Sequence, residues 1–146
     1  MPPHPAELEA WVDGGARGNP GPAGWGAYIR GPGGTVELKG FLGIATNNVA
    51  EYSGLLAALR HALAVGAASL RVFADSELIV RQMKGQYKVR APGLKPLFEE
   101  ARRMAKTLQR FDIVHVPREQ NRDADRLANL AMDEGIGRAG FRLSPE

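Results

Sequence analysis

The sequence predicts an α/β fold, a mixed five-stranded sheet flanked by helices. Three observations carry this. Five short segments read as strands, the first by period-two alternation and the rest as short apolar runs, and four longer or capped ones read as helices, in the order β β β α β α α β α. The first three strand segments are joined by short links, which favours an antiparallel meander. Each later strand is reached through a helix, and crossovers of that kind lay strands parallel to an existing one.

Residues 8–13 alternate Leu8, Ala10 and Val12 against Glu9, Trp11 and Asp13, the period of a strand. The run GGARGNPGPAG (14–24) reads as a loop, because Gly and Pro interrupt regular structure. WGAYIR (25–30) and TVELKGFLG (35–43) read as the second and third strands, with GPGG (31–34) as the turn between them. Over 47–64 the period changes: Val49, Tyr52, Leu56, Leu59 and Leu63 recur at three and four, an amphipathic helix. Thr46 or Asn47 can cap its start and Gly66 follows its end. SLRVFAD (69–75) is an apolar strand, and SELIVRQM (76–83) a short helix with Ser76 near its start. A loop of extended character (84–93) leads to a helix over 94–110, striped by Leu97, Ala101, Met104, Ala105 and Leu108. FDIVHVP (111–117) is the last strand, and 121–135 the last helix, closed by Gly135.

The 146 residues suit one domain, 1–146, with its core over 8–135 and a loosely held tail over 136–146. No apolar run approaches the roughly 18 residues that span a bilayer, so no membrane partner is expected. The start, MPPHPAE, lacks the pattern of a secretory leader, and cytoplasm is the expected location. The chain has no cysteine, which excludes disulfides and thiolate zinc sites. No long exposed apolar stripe demands a partner, so a monomer is expected.

Four acids stand out: Asp13, Glu51, Asp75 and Asp125. Asp13 and Asp75 end strand patterns. If those strands are parallel neighbours, both carboxylates meet at the carboxyl edge of the sheet, where open α/β sheets bind ligands. Each aspartate shares a strand face with an aromatic neighbour, Trp11 or Phe73. Glu51 lies in the first turn of its helix. Glu51 and Asp125 each sit about 110° from the centre of their helix's apolar stripe, flanking the buried face. Hard oxygen ligands without cysteine suit two divalent ions, Mg²⁺ or Mn²⁺, and such a pair performs phosphodiester chemistry. Taken singly, the acids can equally be read as helix caps and surface charges: Asp75 can cap the following helix and Glu51 can favour a helix dipole. All four in these placements argue for the metal site.

Net charge is +3, unevenly spread. Residues 81–110 hold nine basic side chains, Lys84 and Lys88 among them, and only two acids, a net +7 that leaves the rest of the chain acidic. A polyanion held on the basic stretch, with its phosphate near the carboxylates, suits this polarity. A solvated helix face is the alternative.

Four segments together resemble type 1 ribonuclease H: DGGARGNPGPAGWGAYI (13–29), TNNVAEYSGLLAAL (46–59), VFADSELIVRQM (72–83) and REQNRDADRLAN (118–129). The likeness covers roughly 8–135, and the stretch 87–101 is similar to the branch that lacks the basic protrusion. The resemblance implies a ribonuclease H-like sheet of strand order 3-2-1-4-5. It implies an endonuclease that cuts the RNA strand of an RNA–DNA hybrid with two Mg²⁺ or Mn²⁺ ions, leaving 5′-phosphate and 3′-hydroxyl ends. It carries the catalytic and metal-ligand roles onto Asp13, Glu51, Asp75 and Asp125, with Glu51 also touching a 2′-hydroxyl. It carries substrate contacts onto Asn19, Thr46, Asn47, Asn48 and Gln82 and the backbone at Gly14 and Gly15; without the protrusion, Lys84 and Lys88 are expected to supply affinity, and Arg118 a further contact from its loop position. The backbone of the glycine-rich turn and the asparagines would approach the wide minor groove of an A-like hybrid, which displays the 2′-hydroxyls that mark RNA.

The chain departs from the family pattern at the histidine that many members carry in a flexible loop before the last acidic helix. Here the link HVPREQN (115–121) is short, and His115 alternates with Ile113 inside a strand pattern. Arg118 and Glu119 stand closer to the expected loop position. His61 reads as a plain helix residue and His4 lies in the leading segment. Other readings are a non-catalytic nucleic-acid-binding module, a nuclease acting on double-stranded RNA, a DNA cutter and a phosphotransferase.

Overall fold

In the computed structural model the described residues are 6–139; the leading segment with His4, and the tail beyond 139, lie outside them. The elements are β1 (Glu7–Ala16), β2 (Gly21–Gly31), β3 (Gly34–Ala45), α1 (Asn47–Ala64), β4 (Ser69–Ala74), α2 (Glu77–Met83), α3 (Lys95–Thr107), β5 (Arg110–His115) and α4 (Arg122–Ala139). A single 3₁₀ turn, Arg118–Gln120, precedes α4. The sheet runs β3-β2-β1-β4-β5. β1, β2 and β3 pair antiparallel, and β4 lies parallel to both β1 and β5. This is the expected meander followed by crossovers.

Most of the 14–24 run is strand rather than loop. Gly14, Gly15 and Ala16 continue the ladder opposite Trp25, Gly24 and Ala23, which confines the turn to residues 17–20. Glycine here serves close approach rather than strand breaking. A Cβ on Gly26 would lie 2.5 Å from the Ala124 carbonyl oxygen, and one on Gly24 would touch Met132 and Ala131, so α4 lies directly on β2. A Cβ on Gly14 would collide with the backbone of Ala50 on α1. Because successive residues of a strand face opposite ways, α1 and α4 cover opposite faces of the sheet.

α1 is buried almost all round, at Ala50, Tyr52, Leu55, Leu56, Ala57, Ala58, Leu59 and Ala62, because it is sandwiched between the sheet and α3. Its neighbours Ala10, Val12, Ile29, Leu70 and Val72 complete that core. On the other face, Ala124, Leu127, Ala128, Ala131 and Met132 seat α4. The end of α4 corrects the sequence reading. Gly135 does not close the helix, which continues to Ala139 and takes in the first part of the expected tail. Gly135 is buried against Phe41, whose ring leaves no room for a side chain. None of the helices among the described residues is long and apolar enough to cross a membrane.

Candidate active site

Parallel pairing of β1 with β4 sets Val12 beside Ala74, so the next residues, Asp13 and Asp75, emerge side by side at the carboxyl edge. Glu51 reaches them from α1. It begins the second turn of that helix rather than lying in the first, since α1 starts at Asn47 and has no acid in its first turn. Carboxylate oxygens of Asp13, Glu51 and Asp75 all lie within 4.8 Å of one another. Asp125, in the first turn of α4, stands just outside this trio. Its carboxyl group acts on that of Asp13 and lies 3.7 Å from the Arg118 guanidinium. Asp13 is therefore the shared centre, its carboxyl group close to those of both Glu51 and Asp125. The Gly14 N–H donates to Asp13 Oδ1 at 2.9 Å and also serves Glu51.

Burial, with crowding, raises the pKa of these carboxyl groups. Burial, then the charge of Asp75, pushes the Asp13 carboxyl up to about 7. Burial, followed by Asp13 and Asp75, holds Glu51 well above the ordinary carboxylate value. Asp75 is raised by burial too, against a hydrogen bond from Asn121 and the nearby Arg118, which lower it. Such a cluster is expected where divalent cations neutralise the carboxylates when bound. The donors are all carboxylate oxygens, the hard set that Mg²⁺ and Mn²⁺ prefer.

An open cleft of about 480 Å³ is lined by Asp13, Asp75 and Asp125, with Gly14, Gly15, Arg17, Asn47, His115, Arg118 and Asn129 among its other walls. Its turn side is cross-linked. Asn19 Oδ1 accepts from the Asn47 N–H at 3.0 Å, and Asn47 Oδ1 accepts from the Ala16 N–H at 2.7 Å. Thr46, not Asn47, caps α1, accepting from Val49 N–H at 3.2 Å. Asn48 follows in the first helical turn, half-buried. His115 is the last residue of β5, as its alternation implied, yet it is exposed and faces the cleft. Glu119 lies away from it, with Trp11, Tyr28 and Arg30 on another surface hollow.

Gln82 is placed differently from the expected substrate contact. It is 4% exposed, and its Oε1 accepts from the buried Tyr52 hydroxyl at 2.6 Å. A glutamine in an amphipathic short helix gives no local sign that it faces inward. Lys84 and Lys88 are exposed beyond the end of α2 and do not line the cleft. The sequence reading missed Arg17, which joins the cleft wall by pairing with Asp133 and Asn129 of α4. It also missed Asn121, read only as the start of a helix.

The chain's residues 11–131 match the family model described as "Reverse transcriptase-like". It is 47% identical over 137 residues to the bifunctional protein Rv2228c of Mycobacterium tuberculosis, covering 92% of this chain and 38% of that protein. The chain thus spans well under half the length of that relative. Ribonuclease HI of Halobacterium salinarum is 40% identical over 137 residues, 92% of this chain and 68% of that one. Among solved structures, the N-terminal RNase H domain of the mycobacterial protein superposes with a TM-score of 0.87 at 44% identity, covering 92% and 99% of the two chains. LC11-RNase H1, solved in complex with an RNA/DNA hybrid, gives 0.83 at 42% identity, covering 89% and 99%. With its sheet order, its carboxylate cluster and these relatives in agreement, the chain belongs to the type 1 ribonuclease H family.

Proposed function

We propose that this chain is a metal-dependent endoribonuclease that hydrolyses the RNA strand of RNA–DNA hybrids, leaving 5′-phosphate and 3′-hydroxyl ends. The observation that carries the reading is the meeting of Asp13, Glu51 and Asp75 at one sheet edge, with Asp125 beside them, next to an open cleft that Asp13, Asp75 and Asp125 line. Asp13, Glu51, Asp75 and Asp125 would hold two Mg²⁺ or Mn²⁺ ions. When bound, such a pair supplies activation of the attacking water and stabilisation of the leaving oxygen.

The chain's own residues do the rest. Gly14 N–H orients the Asp13 carboxylate, and Arg118 offsets charge near Asp125 and Asp75. Asn19, Asn47 and the backbone at Gly15 and Ala16 form a rigid polar wall beside the acids. Such a wall suits the wide, shallow minor groove of an A-like hybrid, where 2′-hydroxyls are displayed. Thr46 and Asn48 belong to the same helix start. His115 and Arg118 both line the cleft, and we assign the role of the family's loop histidine to this pair rather than to Glu119. Lys84 and Lys88 would track phosphates farther along the duplex. The large exposed apolar side chains are divided among β3, the end of α1, Tyr87 and α4, which supports a monomer.

The test is cleavage of end-labelled RNA–DNA hybrid, duplex RNA and duplex DNA with Mg²⁺ or Mn²⁺, beside a chelator control. Metal-dependent cutting of the hybrid's ribo strand is expected. Binding without turnover would make the chain a binding module, and equal cutting of duplex DNA would defeat the substrate assignment.

A further inference from the structure

We propose that Asn121 is a positioning residue that holds Asp13, Asp75 and Asp125 in one arrangement competent for divalent cations. The inference rests on the metal-dependent reading above. Asn121 stands just before α4, the place of a helix cap, where asparagine is favoured for bonding the helix's own N–H groups. Its side chain instead turns inward and is fully buried.

There it meets three parts of the site. The Nδ2 amide donates to the Val12 carbonyl at 2.9 Å, on the residue that precedes Asp13. The side chain also hydrogen-bonds the Asp75 carboxylate. The Asn121 backbone carbonyl accepts from the Asp125 N–H at 3.0 Å, fixing the first turn of α4. One residue thus ties the end of β1, the residue after β4 and the start of α4 to one another. Those three segments come from distant parts of the chain, and each delivers one acid.

The arrangement has a cost. Asn121 Oδ1 is the one buried side-chain oxygen or nitrogen without a hydrogen-bond partner among the described residues. An unpaired buried acceptor disfavours the fold, and an apolar side chain of similar size would avoid it. Packing therefore does not explain asparagine here; its two N–H groups do. Partners behind metal ligands fix ligand orientation, and their loss typically weakens metal affinity or activity by about 10–100-fold.

The experiment compares Mn²⁺ binding by electron paramagnetic resonance in wild type, Asn121→Ala and Leu59→Ala. It is run at a temperature where circular dichroism shows all three folded. Leu59 is a buried α1 residue that contributes no group to the cleft lining. Asn121→Ala is expected to weaken Mn²⁺ binding about 10–100-fold and to lower kcat, while KM for hybrid changes by less than about twofold. Leu59→Ala is expected to lose stability and keep its Mn²⁺ affinity. Wild-type affinity in Asn121→Ala, or an equal loss in Leu59→Ala, overturns the proposal.

Should Asn121→Ala fail to fold, nuclear magnetic resonance of the wild type decides. The Asn121 side-chain amide signals should move as Mg²⁺ is added, and signals that stay put through saturation overturn the proposal. A wild type that binds Mn²⁺ yet cuts no hybrid removes the ribonuclease reading while leaving the positioning role standing. A wild type that binds no Mn²⁺ overturns both.

Discussion

Gly14 and Glu51 are in backbone contact across the face of the sheet: a Cβ on Gly14 would lie 2.6 Å from the Glu51 nitrogen, and closer still to the Ala50 carbonyl group. This closeness lets Glu51 reach Asp13 from a helix on one face while Asp125 arrives from the other. Gly14→Ala is therefore expected to destabilise the protein by about 3 kcal/mol, since the backbone atoms it meets cannot yield as a side chain would. Gly137→Ala, in an exposed stretch of α4 with nothing near its Cβ, should stabilise by about 0.5–1 kcal/mol. Thermal unfolding of both variants checks the contrast. A Gly14→Ala protein as stable as wild type would show that α1 does not depend on this approach.

Asp13→Asn and Asp75→Asn should each lower hybrid cleavage by at least about 100-fold, more than loss of a supporting partner typically does. Hybrid binding, measured by fluorescence anisotropy in a chelator, should change little. Near-normal cleavage by both variants would remove these two acids from the ligand set.

The metal-free protein should lose stability as pH rises. Asp13 ionises near 3.8 when unexposed to the fold and near 7 within it, so the fold favours its protonated form. That contribution is complete below the unfolded value and is lost as pH climbs through about 7. Asp13→Asn should remove much of this decline, raising the melting temperature at pH 8 by about 4–8 °C for a gain of about 2 kcal/mol. At pH 3.5 the same substitution should change little. Mg²⁺ should stabilise wild type at pH 8 more than Asp13→Asn. Parallel melting curves for the two chelated proteins from pH 4 to 8 would contradict this.

Gln82 should matter to the fold and not to the substrate. Gln82→Leu leaves the buried Tyr52 hydroxyl without its acceptor, at a cost of about 1–3 kcal/mol. KM for hybrid should stay within twofold of wild type. A large rise in KM at unchanged stability would restore the substrate role expected from the sequence.

Hybrid affinity should fall at least about tenfold between 50 and 200 mM salt, as phosphate contacts release counterions. Lys84→Ala and Lys88→Ala should each reduce the slope of log affinity against log salt by about 1. An affinity indifferent to salt would exclude the basic stretch from binding.

Residue type and period were enough for most of the elements and for singling out the acids that meet at the sheet edge. Period-two alternation marked β1, a short apolar run marked β4, three-and-four recurrence marked α1, and four carboxylates in a cysteine-free chain raised the expectation of a hard-cation site. These features were legible because they are local: a strand's period and an acid's preference for oxygen-seeking ions do not depend on distant residues. Glycine misled for the same reason. Gly14, Gly24 and Gly135 look like breaks when read alone, and become contact points only once a helix or a ring lies on them. Gln82 and Asn121 look like surface or capping groups until the structure buries them against Tyr52 and Val12. The parallel register of β1 and β4, the opposed faces of α1 and α4, and the gathering of Asp13, Glu51 and Asp75 within 4.8 Å were decided by tertiary structure alone. Burial of two apolar helix faces on one sheet sets those relations, and no short stretch of chain contains both sides of such a contact.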